Sequence, residues 1–317
     1  MNKKTLILVL ASAAAAATDN ANWTVVSTFD DASALDLITD NTNIEGSNAR
    51  SEIIDGKWAV FPGDLFENTS NLYALLDMGT DLKAMSQASG EPVTVYLEVV
   101  QPTVDDGQGG TRKAIVDCVW GLSNIDSDEV LETRYNSYNV MQRINVGTDN
   151  YEGRNGGGYW STEEILQADV TYKIWLVADY NLNFYEAYVQ GGQWTEQTKL
   201  DTEDGSGIWL FRVNPAPENA VDKFQVSLSR GNSDDGEKGI DPMYLDNIAY
   251  ADGMDLSTPP VGGGETWYGY SVDADGWVNT EGWMGWVNNT YDPNIWHPML
   301  NKYIYVGDDS GWAYVPR

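Results

Sequence analysis

The chain has 317 residues, with 48 Asp and Glu against 18 Lys and Arg, which makes its formal net charge at pH 7 equal to −30. So much negative charge repels phosphate backbones and anionic lipids, which excludes nucleic acid and acidic membranes as partners. The single cysteine, Cys118, excludes an internal disulfide, and its apolar strand-like surroundings predict a buried side chain. The single histidine, His297, excludes a Ser-His-Asp triad in the large domain and a His-rich zinc site.

Residues 1–21 predict a secretory signal peptide. A short basic start, Met1 to Lys4, precedes an apolar run from Leu6 through Ala17 that ends in small residues. The run is too short to span a membrane, which takes about 20 apolar residues. We therefore expect a secreted protein that acts outside the cell or on its outer surface, with no membrane span.

Between Trp23 and Asp252 the sequence predicts about eleven β-strands, because apolar and polar residues alternate between turns rich in Gly, Asp and Asn. The clearest unit is a hairpin, in which Tyr172–Asp179 and Phe184–Gln190 flank an Asp- and Asn-rich turn. The other predicted strands are residues 23–29, 53–61, 71–78, 93–100, 114–122, 137–146, 207–213, 223–230 and 243–251.

Helical patterns are scarce. Leu82 to Ala88 predicts one helical turn, and Ser161 to Ala168 predicts another, since Ser-Thr-Glu-Glu is a common helix start. Many strands without alternating helices indicate an all-β fold, an antiparallel β-sandwich, and at this size a jelly roll. We assign this domain to residues 22–254.

The composition changes after the sandwich. Residues 255–264, DLSTPPVGGG, predict a linker that two prolines stiffen and three glycines loosen. Residues 265–317 contain six Trp and six Tyr, and the sequence Gly-Trp-Val-Asn occurs twice in them. These repeats predict a small aromatic-rich module of β-hairpins, whose tryptophans either form its core or stack on cell-surface sugars.

Three segments of the large domain resemble the concanavalin A-like lectin/glucanase superfamily, in its laminin-G-like branch. They are Phe29–Asp31, the hairpin Tyr172–Val189, and Tyr244–Tyr250. The resemblance implies a jelly roll over about residues 22–254. Residues 277–287 and 309–316 are similar to a Trp/Tyr/Gly-rich tail of secreted proteins from some Gram-negative marine bacteria, which implies surface display or retention through a cell-surface partner.

Acidic residues at both ends of the large domain predict a metal site. The first and last strands of a jelly roll usually lie side by side, which would bring Asp30 or Asp31 close to Asp246. Calcium takes six or more oxygen ligands, so a structural Ca²⁺ is one interpretation, and turn or strand-edge roles are the other. A second acidic cluster could form from Asp234, Asp235 and Asp241.

Aromatic and hydrogen-bonding side chains in the strands and adjoining loops predict a face that binds a polysaccharide or glycoconjugate. Each of these aromatics has an alternative role in the core. The candidate ligand-binding residues are Tyr96, Trp120, Arg134, Tyr138, Gln142, Arg143 and Trp160.

Catalytic motifs are weak. Retaining glycosidases need two carboxyl groups roughly 5–5.5 Å apart, and the chain lacks the Glu-x-Asp-x-Glu type of strand that supplies them. Arg50-Ser51-Glu52 resembles the Arg-x-Glu motif of jelly-roll alginate lyases, which would make Arg50, Tyr138 and Arg143 a lyase site. We thus expect a non-catalytic, lectin-like protein. The alternatives are a polysaccharide lyase or glycoside hydrolase with a diverged site, and a structural protein of an extracellular layer or filament.

Overall fold

A computed structural model describes residues 23–40, 49–63, 72–88, 90–123, 139–145, 149–212, 221–228 and 241–259, together with seven short strands after residue 265. The large domain contains one helix, α1 (Thr80–Gln87), a 3-10 helix at Ala32–Leu37, and the following strands: β1 (Trp23–Ser27), β2 (Ile38–Asp40), β3 (Arg50–Ile54), β4 (Lys57–Phe61), β5 (Leu72–Asp77), β6 (Val93–Val100), β7 (Thr103–Asp105), β8 (Thr111–Lys113), β9 (Cys118–Ser123), β10 (Gln142–Asn145), β11 (Asn150–Asn155), β12 (Gly158–Ile165), β13 (Tyr172–Asp179), β14 (Phe184–Gly191), β15 (Trp194–Lys199), β16 (Trp209–Leu210), β17 (Lys223–Leu228) and β18 (Met243–Asp252).

The strands form two large antiparallel sheets, which confirms the predicted all-β sandwich of the jelly-roll type. The nine-stranded sheet has the order β15-β14-β13-β6-β18-β4-β3, with β1 beside β18 and β16 beside β14. The seven-stranded sheet has the order β12-β11-β10-β9-β17-β5-β2, and β7 and β8 form a separate ribbon. The first and last strands pair as expected, with Trp23 opposite Ala251 and Val25 opposite Ala249.

The main core lies between the two sheets, because side chains alternate between the two faces of a strand. On β9, Cys118, Trp120 and Leu122 are completely buried, and on β13 so are Ile174 and Leu176. Each fully buried side chain of this size stabilises the fold by roughly 1.5–3 kcal/mol. Burial also raises the pKa of the Cys118 thiol, which agrees with its predicted role as a small buried residue.

Two local predictions differ from the structure. The predicted strand 53–61 is a hairpin of β3 and β4, turned by Asp55 and Gly56 in the left-handed region at φ 50° and 69°. The predicted helix at Ser161 to Ala168 is wrong, since residues 158–165 form β12. There the Thr162 hydroxyl donates to the carbonyl of Tyr151 across the ladder, so strand pairing outweighs the local helix signal. The helical turn at Leu82 to Ala88 is confirmed by α1.

After residue 265 the described strands are β19 (Thr266–Trp267), β20 (Tyr270–Ser271), β21 (Trp277–Asn279), β22 (Trp286–Asn288), β23 (Asn294–His297), β24 (Lys302–Val306) and β25 (Ala313–Tyr314). The last five form one antiparallel sheet in chain order, which is a series of hairpins as the repeats predict. In the described parts of the chain, no helix combines the length and apolar character that crossing a membrane requires.

Candidate functional site

One end of the seven-stranded sheet carries a charged and aromatic patch on its outer surface. On β10, Arg143 points away from the core because its neighbours Gln142 and Ile144 are both buried. The strand register sets Arg143 directly opposite Glu152 on β11. Arg154 follows two residues later on the same side of β11 and pairs with Tyr159 on β12. We call the patch formed by Arg143, Glu152, Arg154 and Tyr159 the arginine face.

Arg143 is held in position by two groups, Glu152 and Tyr159, and Asn145 holds Glu152 in turn. Its Nε and Nη2 each lie 2.6 Å from Oε2 of Glu152, and its Cζ lies 3.6 Å from the centroid of the Tyr159 ring. Asn145 Nδ2 donates to the other carboxylate oxygen of Glu152 at 2.8 Å. Since Glu152 is only 6% exposed, this charge-assisted contact is shielded from water and keeps the guanidinium in place before any ligand arrives.

A second guanidinium approaches the same ring. The Cζ of Arg154 lies 4.9 Å from the Tyr159 centroid. Its Nε donates to the carbonyl of Gly156 at 2.8 Å, and its Nη2 donates to the carbonyl of Gly157 at 2.9 Å. The tight turn between β11 and β12 thus orients Arg154. Each such cation–π contact contributes about 0.5–1 kcal/mol at an accessible site.

The electrostatics of Tyr159 follow from this position. Burial raises the pKa of its phenol, and the positive charges of Arg143, Arg154 and Arg212 oppose that rise. The phenol is therefore neutral at physiological pH. Three arginines act on one ring in a protein that has 18 basic residues and a net charge of −30. A neutral aromatic plane beside fixed guanidinium groups can stack on a sugar ring and bind its carboxylate or sulfate groups.

The predicted glycan residues do not share one surface. Trp120 and Gln142 are completely buried between the sheets. The Trp120 ring stacks on Tyr151 with centroids 5.9 Å apart, and the Tyr151 hydroxyl donates to Gln142 Oε1. The predicted ligand-facing position is wrong for these two residues, because their side chains point from β9 and β10 toward the core. Among the predicted residues that the structure describes on this sheet, Arg143 lies on the outer surface.

Tyr96 lies on the opposite side of the molecule, on the outer surface of the nine-stranded sheet. It is nevertheless completely buried, between Trp23 at 6.2 Å and Trp175 at 5.2 Å. The Trp175 indole donates to the carbonyl of Ser257 at 2.8 Å, so the segment after β18 covers this aromatic cluster. Tyr96 therefore packs as a core residue, and its predicted exposure to a ligand is also corrected.

The other predicted glycan and lyase residues do not lie on the arginine face or are outside the described residues. Arg134 and Tyr138 lie outside the described residues. Trp160 lies beside Tyr159 on β12 but packs against the core on the other side of the strand. Arg50 lies on β3 of the other sheet, where it pairs with Glu52 at 2.7 Å and stacks over Phe61 at 3.7 Å. The structure thus does not bring Arg50 together with Arg143, as the lyase hypothesis requires.

The predicted metal ligands have other partners. Asp31 accepts a hydrogen bond from the Ser33 backbone at 2.7 Å and caps the 3-10 helix. Asp246 lies 3.3 Å from the Lys57 ammonium, so a protein cation already contacts this carboxylate. Asp30 lies near Gly56, in the turn just before Lys57. Within the described parts of the chain no group of three or more potential ligands is arranged to hold a metal, so the predicted carboxylate set is not formed there. Calcium itself stays a prediction.

In the second predicted acidic cluster, the one residue that the structure describes, Asp241, also has protein partners. Asp241 accepts hydrogen bonds from Arg112 and from the Ile115 backbone, the latter at 2.7 Å. Asp234 and Asp235 lie outside the described residues. The role of Asp241 in the described structure is thus an ion pair between a strand end and the β7–β8 ribbon.

Three members of the arginine face were not among the residues predicted from the sequence: Glu152, Arg154 and Tyr159. A usable signal was present, because Arg154 and Tyr159 flank Asn155 and three consecutive glycines. Such a run predicts a tight turn between paired strands. Alternation would then have placed Glu152 and Arg154 on one side of the same strand.

No protein-family model matches the chain, and no curated protein is significantly similar to it. Among solved structures, a seed lectin from Lotus tetragonolobus is 10% identical, covers 72% of this chain and 96% of the lectin, and has a TM-score of 0.41. The catalytic domain of a glycoside hydrolase family 131 protein from Coprinopsis cinerea is 10% identical, covers 64% of this chain and 72% of that domain, and has a TM-score of 0.39.

A sialidase is also similar, at 10% identity and a TM-score of 0.38 over 76% of this chain, but the chain spans only 17% of that sialidase. Identities and TM-scores this low carry no argument about function. The strand order and the pairing of the first and last strands show an antiparallel sandwich of the jelly-roll type.

Proposed function

We propose that this chain is a secreted, non-catalytic carbohydrate-binding protein that holds an acidic polysaccharide on its arginine face. The observation that carries the proposal is the fixed position of Arg143 and Arg154 against the ring of Tyr159 on the outer surface of a sheet. Guanidinium groups bind carboxylate and sulfate in a bidentate manner. Because the rest of this acidic surface repels anions, an anionic ligand would bind where these guanidinium groups lie.

The state of the side chains supports binding rather than catalysis. Tyr159 has a raised pKa, whereas a tyrosine that acts as a general base needs a lowered one. Both carboxylate oxygens of Glu152 already accept hydrogen bonds, from Arg143 and from Asn145. Neither Tyr159 nor Glu152 is thus prepared to transfer a proton. Lyase or hydrolase activity is the alternative that the test below detects.

The edge strands also disfavour the structural-layer alternative. Two of the four end strands of the sheets, β12 and β15, carry the charged side chains Glu163, Glu164, Glu196 and Lys199. Charged side chains on an edge oppose the addition of a further strand from another molecule. Assembly through these edges is therefore less favourable than binding of a separate ligand.

The test is a binding titration of the purified chain with acidic and neutral polysaccharides, with and without a calcium chelator. Unsaturated products and reducing ends are followed in the same samples. We expect the acidic polysaccharides to bind, with an affinity that falls as salt increases. Arg143→Met should weaken binding by about tenfold, as loss of one charge-assisted contact implies.

Arg50→Met is the matched control, since Arg50 is also ion-paired and stacked on an aromatic ring, but on the other sheet. Equal affinity for neutral and acidic polysaccharides, or equal loss in both variants, would refute the proposed site. Release of unsaturated or reducing products would show that the protein is an enzyme and that the proposed non-catalytic function is wrong. Loss of binding on chelation would show that a divalent cation supports the site.

We further propose that residues 265–317 attach the protein to the outer cell surface. The hairpin repeats and the aromatic content of this module support the proposal. Cell fractionation of the intact chain and of a chain that ends before residue 265 tests it. Equal release of both forms into the medium would contradict it.

A further inference from the structure

A cavity lies where the two sheets end on the same side of the sandwich. Strand β12 is the last strand of the seven-stranded sheet, and β15 is the last strand of the nine-stranded sheet. Between them is a cavity of about 280 Å³, lined by Trp160, Glu163 and Glu164 from β12 and by Trp194 and Asp201 from the region of β15. This cavity contains no member of the arginine face.

The irregular pairing of both edge strands explains the opening. The register of β12 against β11 shifts between Asn150 and Glu152, and the register of β15 against β14 shifts between Val189 and Gly191. Within β12, Glu163 has φ of 60°, in the left-handed region that is uncommon for a residue with a side chain. Such bulges bend edge strands away from regular pairing, which leaves space between the sheets.

Two tryptophans form fixed aromatic walls. The Trp194 ring makes edge contacts with Tyr151 at 6.2 Å and with Tyr172 at 5.9 Å. Trp160 and Trp194 are both partly buried and pack against the main core. Their remaining exposed surfaces line this cavity, which is open to solvent. Indole planes of this kind provide large contact areas with little loss of conformational entropy on binding.

The polar groups of the cavity are mainly hydrogen-bond acceptors. The Lys199 ammonium donates to Glu186 at 2.7 Å, so its charge is already paired. Within the described part of the chain, no hydrogen bond or ion pair engages the carboxylates of Glu163, Glu164 or Asp201. These three carboxylates give the cavity a negative charge, which repels sugar acids and favours ligands that donate hydrogen bonds.

We propose that this cavity is a separate saccharide-binding site for one neutral sugar unit. The apolar face of the sugar ring packs on Trp160 or Trp194, and its hydroxyl groups donate to Glu163 and Asp201. A volume of about 280 Å³ is at the low end for small-molecule sites, which suits a terminal or branch unit rather than a long chain. The choice of a saccharide rests on the proposed function, but the cavity and its charge do not.

This assignment gives β12 two roles. Tyr159 belongs to the arginine face, and the next residue, Trp160, lines the cavity, because consecutive side chains of a strand point in opposite directions. A polysaccharide with both acidic and neutral units could then contact both sites. The acidic units bind the arginines, and a neutral branch enters the cavity.

The experiment uses the full chain labelled with fluorotryptophan and observed by NMR. Phe substitutions of Trp160 and Trp194 assign their signals, and the completely buried Trp58 provides an internal reference. The probes are methyl glycosides of neutral hexoses and the corresponding uronic acids. We expect a neutral glycoside to shift the Trp160 and Trp194 signals, whereas the uronic acid leaves them unchanged.

Glu163→Gln and Asp201→Asn should each weaken this binding by about fivefold or more, as loss of a charged hydrogen-bond acceptor implies. Glu196→Gln is the matched control, because Glu196 is exposed on β15, which borders the cavity, but does not itself line it. Thermal unfolding of all three variants confirms that they fold. Absence of any shift, or an equal effect of Glu196→Gln, would overturn the proposal.

The measurements distinguish failure of the arginine-face proposal from failure of the neutral-sugar proposal. If the neutral site exists but the arginine face does not bind, the glycoside shifts remain and acidic polysaccharides show no affinity. If the arginine face binds alone, Arg143→Met weakens binding of acidic polysaccharides by about tenfold, and the signals of Trp160 and Trp194 do not move with any glycoside. If both indole signals respond equally to uronic acids, the negative charge of the cavity does not select its ligand and the neutral-sugar assignment is wrong.

Discussion

The guanidinium carbon of Arg143 lies 3.6 Å from the centroid of the Tyr159 ring. At the same time the Arg143 Nε donates a hydrogen bond of 2.6 Å to Glu152, and the Nη2 lies 2.6 Å from the same carboxylate oxygen. These residues come from three neighbouring strands, β10, β11 and β12. The ion pair with Glu152 determines where the positive charge lies, and the Tyr159 ring determines the orientation of the guanidinium plane. Variants of Glu152 and Tyr159 test this arrangement. Variants of Asp246 test a buried carboxyl in the other sheet, and variants of Gly153 test the close packing beneath the arginine face.

Glu152→Gln should destabilise the protein by roughly 1–3 kcal/mol, since it leaves the partly buried Arg143 charge without its counter-ion. Urea unfolding of both single variants and of the double variant with Arg143→Met gives the coupling between the two residues. Glu52→Gln is the control, because the Arg50–Glu52 pair is about half exposed and should contribute less than about 1 kcal/mol. Equal effects in the two pairs would contradict the shielded position of Glu152.

Tyr159→Phe should retain the affinity for acidic polysaccharides, and Tyr159→Ala should reduce it by about tenfold. The reason is that the aromatic plane supports Arg143 and Arg154, while the hydroxyl stays protonated and transfers no proton. Binding titrations of both variants measure the difference. If Phe is as damaging as Ala, the hydroxyl itself contacts the ligand or acts in a reaction.

Asp246→Asn should alter the pH dependence of stability. Burial raises the pKa of Asp246 from 3.8 to about 6, although Lys57 opposes the rise. The folded state therefore binds this proton more tightly than the unfolded chain does. The resulting stabilisation is complete below about pH 4 and is lost as pH rises through about 6.

At pH 7 the Asn variant should consequently be more stable than the wild type by roughly 1–2 kcal/mol, and near pH 4 the difference should disappear. Denaturant unfolding across this range measures it. Asp204→Asn is a control of opposite sign, because hydrogen bonds from Thr202 and Ser206 lower the pKa of Asp204 to about 2. That variant should lose stability at neutral pH and match the wild type as pH falls toward 2. A difference for Asp246→Asn that is constant with pH would show that the carboxyl does not titrate in this window.

Gly153→Ala should destabilise the protein by about 1–3 kcal/mol through overpacking. A Cβ at Gly153 would collide with the Trp209 ring beneath the arginine face, where the strand must approach the core closely. Gly157→Ala is the control, since a Cβ there has nothing within 4 Å. Thermal unfolding compares the two variants. Similar stability of both would mean that Trp209 can move aside.

The strands that the sequence predicted best are those buried on both sides. The predicted bounds 93–100 and 172–179 are those of β6 and β13, which lie inside the nine-stranded sheet. In contrast, β11, β12 and β15 were missed. Two of them are edge strands, and β15 is the polar segment Trp194–Lys199, so neither alternation nor apolar content distinguishes it from a loop. The pairing partner of β15, not its own residues, makes it a strand.

The sequence by itself determined that this protein is an acidic all-β chain whose first and last strands meet in a jelly roll. Those properties depend on composition and on alternation within single strands, which are local. Only the tertiary structure decided which predicted residues face outward. It buried Trp120, Gln142 and Tyr96, and it placed Arg143 against Glu152 and Tyr159. Strand register and sheet order decide such contacts, and they depend on packing between segments that are distant in the chain.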